Sequence, residues 1–280
     1  MKRLRIAVVG DNCIDKFLPP IGEALVGGNA VNVAVQLAKL GHDAHYFGAV
    51  GADADGERTR TALTENGVNV AHMQERPGKT AHTDIEVLPS GERVFLFEDF
   101  GVCAGYRPSD ADLAALKIMD HVHIGWLDDG GALRRTLAAA GVSVSQDISV
   151  NADSADLGIE GLTIAFGSAG EDDAAVQTTI DRFLSAGVRV AVVTRGARGS
   201  VAATLEERAE TGIMQVEVVD TTGAGDSFIA GFLSVHIGGG SLQEAVEAGR
   251  DRAALACSHV GGFPQKPMAL RDLFEHQPAG

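Results

Sequence analysis

Cysteine, tryptophan and positive charge are all scarce in this chain of 280 residues. The three cysteines, Cys13, Cys103 and Cys257, are scattered and form no metal-ligand spacing, which excludes a disulfide scaffold and predicts reduced thiols. Lys and Arg number 23 against 38 Asp and Glu, for a formal net charge of −15. This balance argues against nucleic acid as a main partner, because phosphate backbones require basic surface. A nucleotide needs only a local anion-binding site and is not excluded.

Long apolar runs are also absent. The first run, Ile6–Val9, is too short for a signal peptide, and no run approaches the roughly 20 residues that span a bilayer. We therefore predict a soluble, cytoplasmic protein with no membrane partner. With 45% hydrophobic residues the chain can bury a sizeable core, and predicted strands and helices alternate over nearly its whole length. This pattern predicts one three-layer α/β/α domain, residues 1–280, around a mainly parallel sheet.

A glycine-rich string, DTTGAGDSFIAGF at Asp220–Phe232, lacks two features of common phosphate-binding loops. No Gly-Lys-Ser/Thr ends it, which excludes a P-loop. Phe228 stands where a dinucleotide fingerprint requires its third glycine. The alternating residues 213–219 before the string predict a strand, and the apolar spacing after it predicts a helix that begins near Asp226. The glycine-rich turn between them can direct backbone N–H groups at an anion.

Asp226 indicates chemistry beyond phosphate binding. A carboxylate beside a bound phosphate would repel it, but a carboxylate can accept the proton of a hydroxyl that attacks a phosphoryl group. We therefore predict a small-molecule kinase in which Asp226 is the general base. The anion-binding turn consists of Gly223, Ala224 and Gly225. A plain strand–turn–helix with an aspartate N-cap is the alternative for this string taken alone.

Polar residues in the first part of the chain predict an acceptor site. Asp11 and Asp15 follow the first strand, where open α/β sheets bind ligands, and their carboxylates can accept hydrogen bonds from sugar hydroxyls. The pair Gly27 and Gly28 precedes a predicted helix and permits close approach of a ligand. Two amides on the first helical turn can hydrogen-bond a polyol, Asn29 and Asn32. A solvated loop and an Asn-capped helix are the alternatives.

Two separate strings together resemble the signatures of the ribokinase-like (PfkB) carbohydrate kinases. The string at Asp220–Phe232 resembles the second signature, and the string that begins at Val26 and continues to Gly56 resembles the first. The resemblance implies a ribokinase-like fold with a small β lid, formed by segments near residues 12–26 and 80–105. Such a lid covers the sugar and excludes water. An exposed edge strand of the lid would offer a homodimer interface.

The same resemblance implies ATP and Mg²⁺ as cofactors. It makes Glu171 the residue that organises Mg²⁺, and it places the helix around Arg250 beside the adenine. Asp220 and the loop around Gly261-Gly262 match positions that bind a monovalent cation in some relatives. The implied ATP contacts are Thr194, Gly196, Gly199 and Ser168, the last of which replaces the usual asparagine.

The acceptor follows from a narrower resemblance. The strings GDNCID, GGNAVNVAV, ERVF and SAGED are most similar to those of bacterial fructoselysine 6-kinases, which implies phosphorylation of a primary hydroxyl of fructoselysine to give fructoselysine 6-phosphate. Kinases for fructose, ribose, 2-keto-3-deoxygluconate or a nucleoside would keep every motif, so these acceptors stay open. A nucleotide or sugar sensor without catalysis is a second class of function, and the intact Asp226 argues against it. The missing third glycine disfavours a dehydrogenase.

Overall fold

A computed structural model describes residues 2–88 and 93–270 of the chain. In chain order, its strands are β1 Arg5–Val9, β2 Cys13–Phe17, β3 Glu23–Gly27, β4 Asp43–Gly51, β5 Asn69–Arg76, β6 His82–Val87, β7 Arg93–Asp99, β8 His121–Ile124, β9 Val144–Asp147, β10 Ile164–Ser168, β11 Val190–Thr194, β12 Ser200–Ala203, β13 Arg208–Thr211 and β14 Met268–Ala269. Its α-helices are α1 Asn29–Lys39, α2 Ala54–Glu65, α3 Asp110–Leu116, α4 Ala132–Ala139, α5 Asp173–Ser185, α6 Ala224–His236 and α7 Leu242–Ala256.

The larger of two sheets has nine strands in the order β13-β12-β11-β10-β9-β8-β1-β4-β5. The neighbouring strands in the part of the sheet that reads β11-β10-β9-β8-β1-β4-β5 are all parallel. Beyond β11, β12 pairs antiparallel with β11, and β13 pairs antiparallel with β12. The predicted mainly parallel sheet is therefore confirmed. Because the carboxyl ends of parallel strands meet at one edge of a sheet, the loops that follow β1, β8, β9, β10 and β11 come together there.

Helices cover both faces of this sheet, which confirms the three-layer α/β/α architecture. Along β1, Ile6 and Val8 pack into one apolar core with α1, α2, α6 and α7. Ala7 and Val9 pack into a second core with α3, α4 and α5. Since alternate residues of a strand point to opposite faces, a strand buried on both sides must be apolar throughout, as the run Ile6–Val9 is.

The smaller sheet has five strands in the order β14-β3-β2-β6-β7. The predicted lid segment near residues 80–105 contains the antiparallel pair β6 and β7, and residues 89–92 between them lie outside the described residues. Phe17, Leu25 and Ile85 form a small apolar cluster of this sheet. Gln265, shortly before β14, is hydrogen-bonded to β3. Its side-chain amide accepts from Val26 N at 2.8 Å and donates to Val26 O at 2.7 Å.

The segment before α6 differs from the prediction. Residues 213–219 form no strand, and α6 begins at Ala224, slightly earlier than expected. The chain leaves the sheet after β13, so this extended segment does not join a ladder, and its apolar side chains Ile213 and Val218 are 46% and 61% exposed. Alternation alone marks an extended segment, whereas a strand also needs a neighbour to share its backbone hydrogen bonds.

No helix in the two described ranges has both the length and the apolar character required to cross a bilayer.

Candidate active site

The N-terminal turns of two helices meet at the carboxyl edge of the larger sheet. Asp11, in the loop after β1, accepts hydrogen bonds from the first backbone N–H groups of α1, those of Asn29 at 3.0 Å and Ala30 at 3.1 Å. A carboxylate at this place satisfies helix donors that would otherwise lack partners and complements the helix dipole. Asp11 thereby fixes the start of α1 against the sheet and places Asn29 beside α6.

Asp226 is held by two amides from α1. Asn29 Nδ2 donates to Asp226 Oδ1 at 2.7 Å, and Asn32 Nδ2 donates to Asp226 Oδ2 at 2.7 Å. Asn29 Nδ2 also donates to Asp147 Oδ2, at the end of β9, at 2.9 Å. These bonds fix the orientation of the Asp226 carboxyl group and bring a second carboxyl group close to it.

The carboxyl groups of this site have raised pKa values. Burial raises the pKa of Asp226 to about 8. The hydrogen bond from the Asn32 amide lowers this pKa, the charges of Asp147 and Asp11 raise it, and the hydrogen bond from the Asn29 amide lowers it. Burial likewise raises the pKa of Asp11 to about 6, against the lowering effect of its backbone hydrogen bonds, and it raises the pKa of Asp147. A carboxyl group with a pKa near neutrality is suited to proton transfer, and such groups cluster at functional sites.

Two glycines provide the space for the amides that hold Asp226. The Oδ1 atoms of Asn29 and Asn32 are buried and accept no hydrogen bond from any described residue. A Cβ on Gly125 would collide with Asn29 Oδ1, and a Cβ on Gly262 would collide with Asn32 Oδ1. Both glycines therefore keep room for an amide in the orientation that directs its Nδ2 toward Asp226.

The turn before α6 contains one glycine that has no room for a side chain and another that has ample room. Gly223 has φ +72°, and a Cβ there would lie 2.5 Å from the Cα of Gly262. Gly225, by contrast, is helical, and a Cβ there would meet nothing within 4 Å. No described side chain caps this end of α6. Ala224 N donates to Thr221 O at 3.2 Å, so the N–H of Gly225 is the first one available to an anion.

This turn separates two cavities. Gly223 and Asp226 line a cavity of about 250 Å³, roofed by the smaller sheet, which we call the acceptor cavity. Ala224 and Gly225 line a second cavity of about 540 Å³, which we call the nucleotide cavity. One short turn thus presents the carboxyl group to one cavity and its open backbone to the other.

Comparison with known proteins identifies the family. The profile of the pfkB family carbohydrate kinases matches residues 22–267. This chain belongs to that family. It is 34% identical over 260 residues to the fructoselysine 6-kinases of Escherichia coli (strain K12) and Shigella flexneri, a match that covers 92% of this chain and 99% of theirs. It is 31% identical to an ATP-dependent ribose-1-phosphate kinase of Halopiger xanaduensis, over 89% of this chain and 88% of the relative.

Solved structures show the same fold. The Arabidopsis thaliana ribokinase complexed with ribose and ATP superposes with a TM-score of 0.83 at 23% identity, over 94% of this chain and 96% of that one. An Escherichia coli putative ribokinase II in complex with ATP and Mg²⁺ superposes with a TM-score of 0.78 at 21% identity, over 92% and 94% of the two chains. The fold is therefore ribokinase-like, and the chain is an ATP-dependent carbohydrate kinase.

The structure of this kinase brings most of the predicted site residues together. The predicted acceptor residues that line the acceptor cavity are Asp11, Asp15, Gly28, Asn29 and Asn32. Gly27 lies beneath it instead, where a Cβ would come 2.5 Å from the Asp15 carboxylate. The predicted residues that line the nucleotide cavity are Ser168, Thr194, Gly196, Gly199 and Arg250.

Two predicted cation ligands lie apart from this arrangement. Glu171 is exposed just before α5 and lines neither cavity, and the described residues hold no group of three His, Cys, Asp or Glu side chains arranged for a metal ion. The carboxylate oxygens of Asp220 accept hydrogen bonds from Thr222 N at 2.8 Å and Gly261 N at 2.7 Å. The cation roles of Glu171 and Asp220 stay predictions.

The sequence did not indicate several residues that line the acceptor cavity or lie next to its lining. Asp147 ends a strand, and its importance depends on the order of the strands rather than on any local motif. Glu98 and Phe95 line the cavity from β7 of the smaller sheet. Trp126 lines the cavity as well, and its ring stacks on that of Phe100 with 3.9 Å between the ring centroids.

Proposed function

We propose that this kinase transfers the γ-phosphoryl group of ATP to a primary hydroxyl of a sugar derivative, and that its acceptor is fructoselysine. The observation that carries the proposal is the position of the turn Gly223–Asp226 between the two cavities. A nucleotide on one side and an acceptor on the other would meet at this turn, which provides the in-line arrangement of attacking and leaving oxygens that phosphoryl transfer requires.

In this proposal, Asp226 accepts the proton of the attacking hydroxyl. The amides of Asn29 and Asn32 hold its carboxyl group in place before the acceptor arrives. The N-terminus of α6 at Ala224 and Gly225 lies toward the nucleotide, where fixed backbone dipoles stabilise the charge that develops on the transferring group. The smaller sheet serves as a lid that excludes water, within a single domain that comprises residues 1–280.

Magnesium enters the proposal with the nucleotide. When bound, Mg²⁺ neutralises phosphate charge, and it commonly binds through one or two carboxylates together with phosphates and water. The described residues form no ready-made cage for it. Such a weakly held ion fits a site that is completed only by the phosphates. The surface residue Glu171 is the one we propose to organise it through water.

Fructoselysine is supported by the relatives that act on it. The two fructoselysine 6-kinases match this chain along 99% of their own length at 34% identity. Other relatives act on other acceptors, including ribose 1-phosphate, at lower identity. The same fold and chemistry serve all of them, so the acceptor is decided by the lining of the acceptor cavity.

The test is ADP release with Mg·ATP and a panel of acceptors: fructoselysine, fructose, ribose, 2-keto-3-deoxygluconate and adenosine. We expect fructoselysine to give the highest kcat/KM. A preference for another acceptor would keep the kinase and discard the substrate, whereas ATP binding without turnover on any sugar would favour a sensor.

The role of Asp226 is tested by Asp226→Asn. We expect kcat to fall by roughly 10²–10⁴-fold, as is typical for loss of a general base, while the Kd for ATP stays nearly constant. Calorimetry on the same sample provides the control that the nucleotide still binds. Near-normal turnover would show that another group accepts the proton.

A further inference from the structure

The acceptor cavity is lined by acidic side chains and by no described basic one. Five carboxyl groups line it, and no Lys, Arg or His does so among the side chains that the structure describes, those of residues 2–88 and 94–270. Two of the five have roles already described. Asp11 binds the start of α1, and Asp226 is the proposed general base in the turn Gly223–Asp226. Glu98 and Asp99 lie on the wall that β7 provides, and phosphoryl transfer at Asp226 requires neither of them.

A register shift in β7 places an aromatic ring on the same side as Glu98. Thr83 on β6 pairs with Glu98. Ile85, two residues later on β6, pairs with Phe95, three residues before Glu98. Because directly opposed residues share a face of the sheet, this bulge turns Phe95 and Glu98 to one face, which simple alternation would not. Both line the cavity, and Phe95 is 68% exposed there, an unusual position for a large apolar side chain.

One residue of the cavity wall has a buried polar atom without a protein partner. Asn12 lines the acceptor cavity and is 1% exposed. Its Nδ2 donates to Tyr46 Oη at 3.0 Å and to Ala49 O at 2.6 Å, whereas its Oδ1 accepts no hydrogen bond from any described residue. Buried polar atoms in folded proteins almost always have partners, so this atom marks a point in the wall where the described protein groups leave a hydrogen bond unmade.

We propose that Glu98 and Phe95 form a subsite for an organic ammonium group, and that the acceptor is a sugar derivative that carries a positively charged nitrogen. A carboxylate next to an aromatic face suits a substituted ammonium, which donates charge-assisted hydrogen bonds to the carboxylate and makes a cation–π contact with the ring. The same wall repels anionic acceptors such as a sugar phosphate or a sugar acid. The inference rests on the proposed sugar-kinase function and narrows its acceptor class.

Direct binding tests the subsite without requiring turnover. Calorimetry would compare 1-amino-1-deoxyfructose with fructose, since these sugars differ by an ammonium group in place of a hydroxyl. We expect the cationic sugar to bind roughly 10-fold or more tightly than fructose. Glu98→Gln, which keeps the shape and removes the charge, should weaken binding of the cationic sugar roughly 5- to 50-fold and leave fructose within about twofold. Phe95→Leu should weaken the cationic sugar by a smaller factor, roughly 2- to 5-fold.

Glu86→Gln is the matched control. Glu86 lies on the neighbouring strand β6, is exposed, and does not line the acceptor cavity, so the same change of charge there should affect neither sugar. Asp99 is less suited to a first test, because its Oδ1 also accepts a hydrogen bond from Gly101 N at 2.8 Å.

The outcomes separate this inference from the proposed function. Equal affinity for the two sugars, equal losses for both in Glu98→Gln, or no binding of either would overturn the ammonium subsite. Tight binding of the cationic sugar without ADP release from any acceptor would support the subsite and contradict the kinase reaction. ADP release with fructose and with the cationic sugar at equal kcat/KM would support the kinase and, with equal affinities, reject the subsite.

Discussion

The carboxyl group of Asp226 has opposite effects on function and on stability. Its pKa in the folded protein is about 8, chiefly because it is buried, whereas an unfolded chain gives aspartate a pKa of roughly 4. A group whose pKa is raised on folding contributes stability that is fully present below the unfolded pKa and is lost as the pH rises through the folded one. The base therefore destabilises the ligand-free protein increasingly between about pH 4 and pH 8.

Asp226→Asn removes this pH-dependent cost. We expect the melting temperature of the variant to exceed that of the wild type at pH 8.5, by roughly 2–4 °C for each kcal/mol recovered, and the difference to shrink toward pH 5. Loss of a hydrogen bond from Asn29 or Asn32 would be the same at every pH, so the slope is the informative quantity. Thermal unfolding across this pH range measures it, and a difference independent of pH would contradict the raised pKa.

Gly262 is predicted to act on catalysis through Asn32. A Cβ at residue 262 would collide with Asn32 Oδ1, and the same amide holds Asp226 through its Nδ2. We expect Gly262→Ala to lower kcat roughly 10- to 100-fold with little change in the KM for ATP, because misplacement of a catalytic group by about an ångström has effects of this size. Steady-state kinetics on the purified variant measures both constants.

A double-mutant cycle identifies the route of this effect. If Gly262→Ala acts by displacing the amide of Asn32, it should add little to the loss already caused by Asn32→Ala. Fully additive losses would show that Gly262 acts on the site in another way, for example through its close approach to Gly223.

The sequence identified Asp226 because its neighbours form a short local string, but it could not identify the group that holds it. Asn29 and Asp226 are 197 residues apart, and Asn29 and Asp147 are 118 apart. Such contacts follow from the order of strands and from the packing of α1 on α6. The structure places the helix-start asparagines beside Asp226, and their role in the site stays a prediction, whereas the role of Asp147 had no local signal.

Among elements, the N-terminus of α6 provides a pair of matched glycine substitutions. At Gly225 a Cβ would meet nothing within 4 Å, so Gly225→Ala should keep the melting temperature or raise it slightly, since alanine favours helices. It should nevertheless lower kcat/KM for ATP, because the space above it belongs to the nucleotide cavity. Unchanged kinetics would remove Gly225 from the proposed phosphate site.

Gly223→Ala serves as the control, because we expect it to lower the stability of the protein, which Gly225→Ala should keep. Its φ of +72° and its approach to the backbone of Gly262 both disfavour a side chain. We expect this variant to lose stability by about 1–3 kcal/mol, measured by denaturant unfolding, before any effect on nucleotide binding is considered.

Most elements were predictable because their patterns are local. The buried strands β1 and β11 are continuous apolar runs, and the helix α7 follows a Ser241 cap that the structure shows with Glu244 in a capping box. The segment 213–219 was predicted wrongly as a strand, because alternation does not reveal whether a partner strand exists. Its apolar residues line the nucleotide cavity instead.

At the scale of the whole molecule, the smaller sheet ends in an edge strand with exposed apolar residues. On β7, Leu96 and Phe97 are 52% and 53% exposed, and an unpaired strand edge of this kind is a ready surface for a second chain. We predict a homodimer through this edge. Sedimentation at micromolar concentration should give the mass of two chains, and Leu96→Lys should give that of one.

A monomeric wild type would contradict this interface. Lys2→Glu changes charge at the first described residue and serves as a control for effects of charge alone, since Lys2 is exposed and lies outside the strands.

The single turn that forms a wall of both cavities has a consequence for inhibitor design. A molecule that joins a cationic sugar to a nucleotide through a short phosphate bridge would occupy both cavities at once and pass directly over Gly223–Asp226. Binding of its second half would then be intramolecular, with an effective concentration set by the bridge, so its affinity can far exceed that of either half. Kinases of the same fold that bind ATP alike but line their acceptor cavities differently would bind only the nucleotide half well, which makes selectivity a property of the sugar half.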